Sequence, residues 1–308
     1  MKNRKELEQY PIRVSQISSL PPTDAYRFEY INGDTVFIYG SHDLFEVNLT
    51  TNKWTRIIKP NSWNSNTSCR NLQYDQVTNS IHMLGYEYKR DSSSRMIGYY
   101  ILRLDGYTWE TIEELGDEID NFHYDSINML IYVWQSTVQE NESGRRVINY
   151  ITTYDLQRRV IINRAELPDD TYFVYLLYGN PLKVLASTRS KEVVGGLCYS
   201  IYDILTGTRV DYPEIILSYG FSNIDIVIPL NKEGCFLGIE YHGLDSSKIV
   251  EIDLNTKIIK TVALENFPYT IGNFKKIAQG KYAFIVSTPN RIGGPGPCFL
   301  CFMDLAYP

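Results

Sequence analysis

The chain has 308 residues, a formal net charge of -6 and 44% apolar content, with a pI near 5.4. That balance argues against a phosphate-tracking surface, so nucleic acid is not the expected partner. No stretch approaches the roughly 18 apolar residues that a membrane-crossing helix needs, and Met1 to Gln9 is charged, without the apolar stretch of a secretory signal. The sequence therefore predicts a cytoplasmic protein with no membrane partner.

With 25 Tyr and 12 Phe, aromatics reach 13%, and Val, Ile and Thr are frequent, as suits half-buried pleated surfaces. The five cysteines (Cys69, Cys198, Cys235, Cys298, Cys301) are odd in number and scattered, which fits reduced thiols better than a disulfide framework. Without a signal segment, the sequons at Asn48, Asn66 and Asn141 carry no glycosylation expectation.

In chain order, the first strand-like segment is Pro11 to Ile17, with Ile12 and Val14 on one face and Arg13 and Ser15 on the other. Then short apolar runs recur: Val36 to Tyr39, Ile81 to Leu84, Leu130 to Trp134, Val184 to Ala186, Cys235 to Ile239 and Ala283 to Val286. They begin about fifty residues apart, a period that signals a repeat architecture. A second feature shares the period, an Asp or Asn followed by an aliphatic or Gly: Asn48-Leu49, Asp105-Gly106, Asp155-Leu156, Asp203-Ile204, Asp253-Leu254 and Asp304-Leu305.

The fifth unit divides into strands at Asn223 to Pro229, Cys235 to Tyr241, Lys248 to Leu254 and Ile258 to Leu264. The first divides at Tyr26 to Ile31, Thr35 to Gly40, Asp43 to Leu49 and Trp54 to Ile58. Polar, Gly-bearing turns between such strands are hairpin connections. A four-stranded antiparallel unit of this length, repeated radially, is a propeller blade. The prediction is an all-β, six-bladed β-propeller forming a single domain over 1–308, with blades beginning near residues 20, 70, 121, 171, 221 and 272. After Leu305 only Ala306, Tyr307 and Pro308 follow, too few for a fourth strand of the sixth unit. Pro11 to Ile17 is predicted to supply it beside Phe299 to Asp304, closing the ring and hiding two open edges.

Residues Leu44 to Trp54 (LFEVNLTTNKW) resemble the strand, turn and Trp of a kelch repeat, and Tyr99 to Trp109 (YYILRLDGYTW) is a shortened version. The chain departs from that pattern where a Gly-Gly pair should end the second strand, having Gly40-Ser41 and Gly85-Tyr86 instead. A divergent kelch-like propeller is what the resemblance implies, and such propellers are often binding platforms.

Strand connectivity places the second-to-third-strand turns and the blade-to-blade connections on one face. Three of those turns are long: Lys89 to Arg95, Thr137 to Arg146 and Thr288 to Pro297. They and their neighbours carry Arg90, Arg95, Arg145, Arg146, Arg189 and Arg291, which could grip a carboxylate- or phosphate-bearing peptide. His42 and His242 fall at equivalent turns of blades one and five, but no third ligand shares their spacing, so no metal is implied. His82 and His123 read as packed strand residues. Acidic residues gather between blades two and three (Glu113, Glu114, Asp117, Glu118, Asp120) and between blades three and four (Glu166, Asp169, Asp170). They could meet a cation or a basic peptide, though a charge run more often makes a solvated loop.

Cys298-x-x-Cys301 has no second CxxC, and its two positions face opposite ways on a strand. Asp105 to Trp109 has some of the residues of the Asp-box turn of sialidase-type propellers, once and one residue short. Nothing catalytic recurs, and no cofactor is implied. The expectation is a non-enzymatic, monomeric scaffold holding a protein or peptide partner on the loop-rich face; the alternative is a hydrolase or lyase with its site at the channel mouth.

Overall fold

The computed structural model describes residues 11–16, 27–39, 43–51, 53–64, 67–88, 94–115, 119–141, 144–179, 182–189, 197–217, 223–242, 246–287 and 298–305. Six four-stranded antiparallel sheets make a closed ring. The chain's first strand is β1 (Arg13–Gln16). Blade 1 is β2 (Arg27–Asn32), β3 (Thr35–Tyr39), β4 (Leu44–Asn48) and β5 (Lys53–Ile57), and blade 2 is β6 (Thr67–Asp75), β7 (Ser80–Tyr88), β8 (Ser94–Arg103) and β9 (Thr108–Ile112). Blade 3 is β10 (Ile119–Asp125), β11 (Leu130–Asn141), β12 (Gly144–Asp155) and β13 (Val160–Glu166). Blade 4 is β14 (Thr171–Tyr178), β15 (Lys183–Arg189), β16 (Leu197–Asp203) and β17 (Arg209–Leu217), and blade 5 is β18 (Asn223–Pro229), β19 (Cys235–His242), β20 (Ser246–Asp253) and β21 (Ile258–Phe267). Blade 6 is β22 (Thr270–Ala278), β23 (Lys281–Ser287), β24 (Cys298–Asp304) and, as its outer strand, β1.

The predicted closure is present: Arg13, Val14, Ser15 and Gln16 lie opposite Phe302, Cys301, Leu300 and Phe299. Val14 is buried, and Ile12 packs against the same cluster, between blades 5 and 6. The first strand of each blade, innermost in the ring, neighbours that of the next, and β22 returns to β2.

The second strands are buried on both faces, which explains why they stand out in the sequence as continuous apolar runs. In β3, Val36 and Ile38 pack toward blade 6 while Phe37 and Tyr39 pack toward blade 2. In β23, Ala283 and Ile285 face blade 1, and Tyr282, Phe284 and Val286 face blade 5. Six apolar clusters fill the six seams between blades. Burying apolar surface at about 25 cal/mol per Å² on every seam makes the ring mutually supporting.

The repeated Asp-aliphatic anchor is the third-to-fourth-strand turn. The acidic or amide side chain accepts backbone N–H bonds from the turn it opens. Asn48 takes Thr51 N at 2.8 Å, Asp155 takes Arg158 N at 2.8 Å, and Asp203 takes Leu205 N and Thr206 N at 3.0 Å. Asp253 does the same for Asn255 N and Thr256 N, and the Lys232 ammonium beside it holds its carboxyl well below the usual carboxylate range. The following aliphatic residue donates its own N–H across to the first-to-second-strand turn in every blade: Leu49 to Asp34 O, Leu104 to Asn79 O, Leu156 to Met129 O, Ile204 to Leu182 O, Leu254 to Gly234 O and Leu305 to Gly280 O. In blade 2 the equivalent pair is therefore Arg103-Leu104, not Asp105-Gly106. The turn is as long as those of blades 1, 3 and 5, and in it Gly106 and Tyr107 adopt φ of 113° and 53°.

The tryptophans that end the two repeat-like stretches, Trp54 and Trp109, behave differently from each other. Trp109 packs on Trp63 at 5.5 Å and donates to Ile58 O at 2.6 Å, bridging blades 1 and 2. Trp54 stays 38% exposed and meets only its own blade's Phe45 among the ring contacts described.

Candidate functional site

Antiparallel strands put the second-to-third-strand turns and the blade-to-blade connections on one rim, here the upper rim. The remaining turns form the lower rim. The innermost strands present an unpaired backbone edge to the central channel, and such edges need partners. Side chains of neighbouring blades supply some of them. Gln73 donates to Tyr124 O at 2.7 Å and accepts from Tyr124 N at 3.0 Å, acting as a strand backbone would. Asn71 donates to Asn121 at 2.8 Å, and Asn273 to Phe28 O at 2.9 Å. Asn71 and Asn273 sit at matching bulges with φ of 52° and 50°, a conformation Asn tolerates better than most residues. Lys275 bonds both Glu29 and Leu72 O, tying blades 6, 1 and 2 together. Burial pushes the Glu29 carboxyl up, opposed by the Lys275 charge.

The sequence signal for this layer is a repeat that the apolar-run pattern overlooks: Asn71-Leu72-Gln73-Tyr74-Asp75 matches Asn121-Phe122-His123-Tyr124-Asp125, and Asn273-Phe274 begins a third copy.

His82 is fully buried between blades 2 and 3. Its Nδ1 lies 2.8 Å from Tyr99 OH, its Nε2 3.2 Å from Ser80 Oγ, and its ring stacks on Tyr124 at 3.9 Å. Tyr124 OH donates to Asp75, which also caps its own turn. Burial pushes the His82 imidazole down to about 3, so it is neutral at ordinary pH. Buried and shared between hydrogen bonds, it is a packed residue. His123 is half-buried, and burial likewise lowers its pKa.

The arginines and histidines expected to bind a partner are placed by backbone. Arg95 is the second residue of β8, opposite Glu87, and Arg189 ends β15 opposite Leu197. Arg145 and Arg146 lie opposite Glu140 and Gln139 near the tip of the β11–β12 hairpin. Thr137 to Arg146 is therefore mostly ladder, not loop. His242 ends β19, paired with Ser246, where the sequence reading has a turn. All five are at upper-rim ends of strands. His42, Arg90 and Arg291, and with them the Thr288 to Pro297 turn, lie outside the described residues.

Among the acidic residues, Glu113 and Glu114 are exposed in a 3-10 turn (Glu113–Leu115), while Asp117 and Glu118 lie outside the described residues. Asp120 accepts from Ser136 at 2.8 Å, and Asp170 takes a two-pronged bond from Arg209 at 2.7 and 2.8 Å. Among the described residues no three His, Cys, Asp or Glu side chains converge as a metal site would require. Cys301 is buried. No described helix is long and apolar enough to cross a membrane.

An apolar strip runs along the upper rim of blades 3 and 4. Two bulges in β14 interrupt its pairing with β15 at Tyr172 and Tyr175. Tyr172 is 50% exposed and Phe173 46%. Phe173 meets Trp134 edge-on at 5.4 Å and Tyr175 at 5.1 Å, and Tyr175 meets Tyr199 at 5.5 Å. Beside them β11 and β12 carry a column of side chains facing blade 4. Trp134 and Ile151 are at its buried base. Ser136 and Asn149 follow, Asn149 bonding Thr171 O at 2.9 Å. The cross-strand pair Val138 and Val147 stands above, exposed. The sequence gives little warning of this strip, because Tyr172 and Phe173 read there as ordinary strand residues.

No family model and no curated protein sequence matches the chain. Solved structures do resemble it. The Pyrococcus horikoshii acylaminoacyl peptidase superposes with a TM-score of 0.50 at 11% identity, over 85% of this chain and 43% of that one. An oligogalacturonate lyase in complex with manganese superposes with a TM-score of 0.51 at 8% identity, over 88% of this chain and 74% of that one. The chain thus spans less than half the length of the peptidase. At these identities the likeness is one of fold: a six-bladed ring of four-stranded blades.

Proposed function

We propose that this protein is a non-enzymatic binding scaffold that holds a protein or peptide partner on its upper rim, over blades 3 and 4. The observation that carries this reading is the adjacent exposure of Tyr172, Phe173, Val138 and Val147 on one rim of a rigid ring. Aromatic and aliphatic side chains fixed on strands lose little entropy on binding, and exposed apolar patches of this kind mark interaction surfaces. The long β11–β12 hairpin beside them extends the surface. Its tip carries Arg145 and Arg146 in register with Gln139 and Glu140, where arginines can hold carboxylate or phosphate groups of a partner. The kelch-like stretch Leu44 to Trp54 agrees with a platform role through the fold alone.

A hydrolase or lyase site at the channel mouth is the second reading. It draws on the six-bladed likeness to a peptidase and a lyase. Against it, one ion pair on the inner strands, Glu29 and Lys275, is already engaged, Lys275 bonding Leu72 O as well.

The test is selection of peptides from a random display library on the immobilised protein. Enriched peptides should bind the wild type saturably and weaken about tenfold or more against Tyr172→Ala or Phe173→Ala, the loss of one good anchor. They should bind a lower-rim Val77→Ser/Ile127→Ser variant unchanged. Enrichment of no peptide, or loss on the lower rim alone, would overturn the scaffold reading.

A further inference from the structure

The chemistry of the strip narrows its occupant. We propose that it takes a proline-rich segment in the extended polyproline II conformation, flanked by Arg or Lys; this rests on the scaffold reading above. Three observations support it.

The first is the ladder of rings. Trp134, Phe173, Tyr175 and Tyr199 meet in turn with interplanar angles of 82°, 72° and 57°. Trp134 and Tyr199 are buried, so the exposed Phe173 ring, next in the chain to exposed Tyr172, is the accessible part of the ladder; stiff pyrrolidine rings pack on exposed aromatic rings at little entropic cost.

The second is an unmet donor. Trp134 is 6% exposed and its Nε1 has no hydrogen-bond partner among the described residues. An indole N–H can only donate, so what it lacks is an acceptor. An unsatisfied buried donor costs about 1–3 kcal/mol, which a ligand carbonyl would recover. Polyproline II makes no internal hydrogen bonds, and its carbonyls are free to accept. Proline supplies no N–H that the site would have to match. The half-exposed Phe173 ring meets the indole edge-on, so a ligand that turns Phe173 aside would uncover that side of Trp134. Ser187 Oγ and Tyr199 OH, on the strands beside Phe173, are also buried without hydrogen-bond partners among the described residues.

The third is charge. The connections on either side of blade 3 expose Glu113 and Glu114, then Glu166 and Asp169. A segment crossing this blade meets carboxylates at both ends, which selects basic flanks. Arg145 and Arg146 stand nearer the hairpin tip than the Val138–Val147 pair.

The experiment uses the full chain and three labelled peptides read by fluorescence anisotropy: decaproline ending in two arginines, decaproline ending in two aspartates, and a Gly-Ser peptide of equal length ending in two arginines. The arginine-tailed decaproline should bind saturably, with the other two at least about tenfold weaker. Tyr172→Ala, a change at a half-exposed ring, should weaken it several-fold, and Phe173→Ala by about tenfold or more. Equal binding of the Gly-Ser peptide, tighter binding of the aspartate-tailed one, or indifference to both variants would overturn the proposal. So would saturable binding of an oligosaccharide that is lost on Phe173→Ala while the peptides fail. If the proline peptides fail but display-selected peptides without proline bind and are lost on the same variants, this inference falls and the scaffold reading stands. If neither binds, both fall.

Discussion

Ring closure rests on one short strand, so Val14 is a sensitive probe. The side chain is 5% exposed, lies opposite Cys301, and packs in the seam cluster that includes Phe284, Phe299 and Met303. Val14→Ala removes two methyl equivalents, about 1.6 kcal/mol of transfer free energy at 0.8 per group, and some cavity cost, roughly 2 kcal/mol in all. Unfolding 308 residues at about 2.1 cal/mol/K each makes that a loss of only about 3 °C in Tm. Val14→Asp is the stronger test, because a carboxylate there is buried with no partner and should detach β1 outright. Hydrogen exchange followed by mass spectrometry reads this locally. In the wild type, Phe299 to Phe302 are covered by β1 on one side and by β23 on the other. In Val14→Asp the amides facing β1 should exchange like an open edge, while β7 and β11 keep their protection. Unchanged protection over 299–302 in Val14→Asp, with an unchanged melting temperature, would refute closure by the N-terminal strand.

Three further outcomes test the account. His82 has a folded pKa of about 3 against an ordinary 6.5. Below pH 6.5 the unfolded chain therefore binds the proton that the folded chain refuses, and the stability this group contributes at neutral pH is lost as pH falls from 6.5 toward 3. Its share between pH 7 and 5 is about 2 kcal/mol, so urea midpoints of wild type and His82→Phe should converge on acidification; parallel curves would contradict it. Gly234→Ala should cost about 1–3 kcal/mol in urea unfolding, since φ there is +77° and a Cβ would sit 2.6 Å from Asn255 Nδ2; a neutral effect would remove the strain argument. Gln73→Leu should cost about 2 kcal/mol by leaving Tyr124 N and O without their side-chain partner, whereas loss of less than a few tenths would show that water replaces the glutamine freely.

Much of the fold is legible in the sequence, because a second strand buried on both faces must be apolar at every position. Val36 to Tyr39 and Ala283 to Val286 are conspicuous for that reason. The third-to-fourth-strand turns are legible too, since a side-chain acceptor must stand where Asp155, Asp203 and Asp253 cap their turns. The exception is blade 2, where Arg103 occupies the anchor position and Asp105 lies inside the turn. The candidate site is far less legible. Its aromatics are picked out from 25 tyrosines and 12 phenylalanines only by the bulges at Tyr172 and Tyr175, and a bulge depends on pairing with β15, which has no local signature. Length misleads as well: Thr137 to Arg146 looks like a loop because it is polar, yet a two-stranded ribbon projecting into solvent needs no buried face.

The most direct test of the scaffold claim is a hydrogen-exchange footprint of the full chain with a display-selected peptide bound. The account predicts new protection confined to the upper ends of β11, β12 and β14, over 136–141, 144–149 and 171–175. Protection over the lower-rim turns at 75–80 and 125–130, with none at Tyr172 and Phe173, would contradict it.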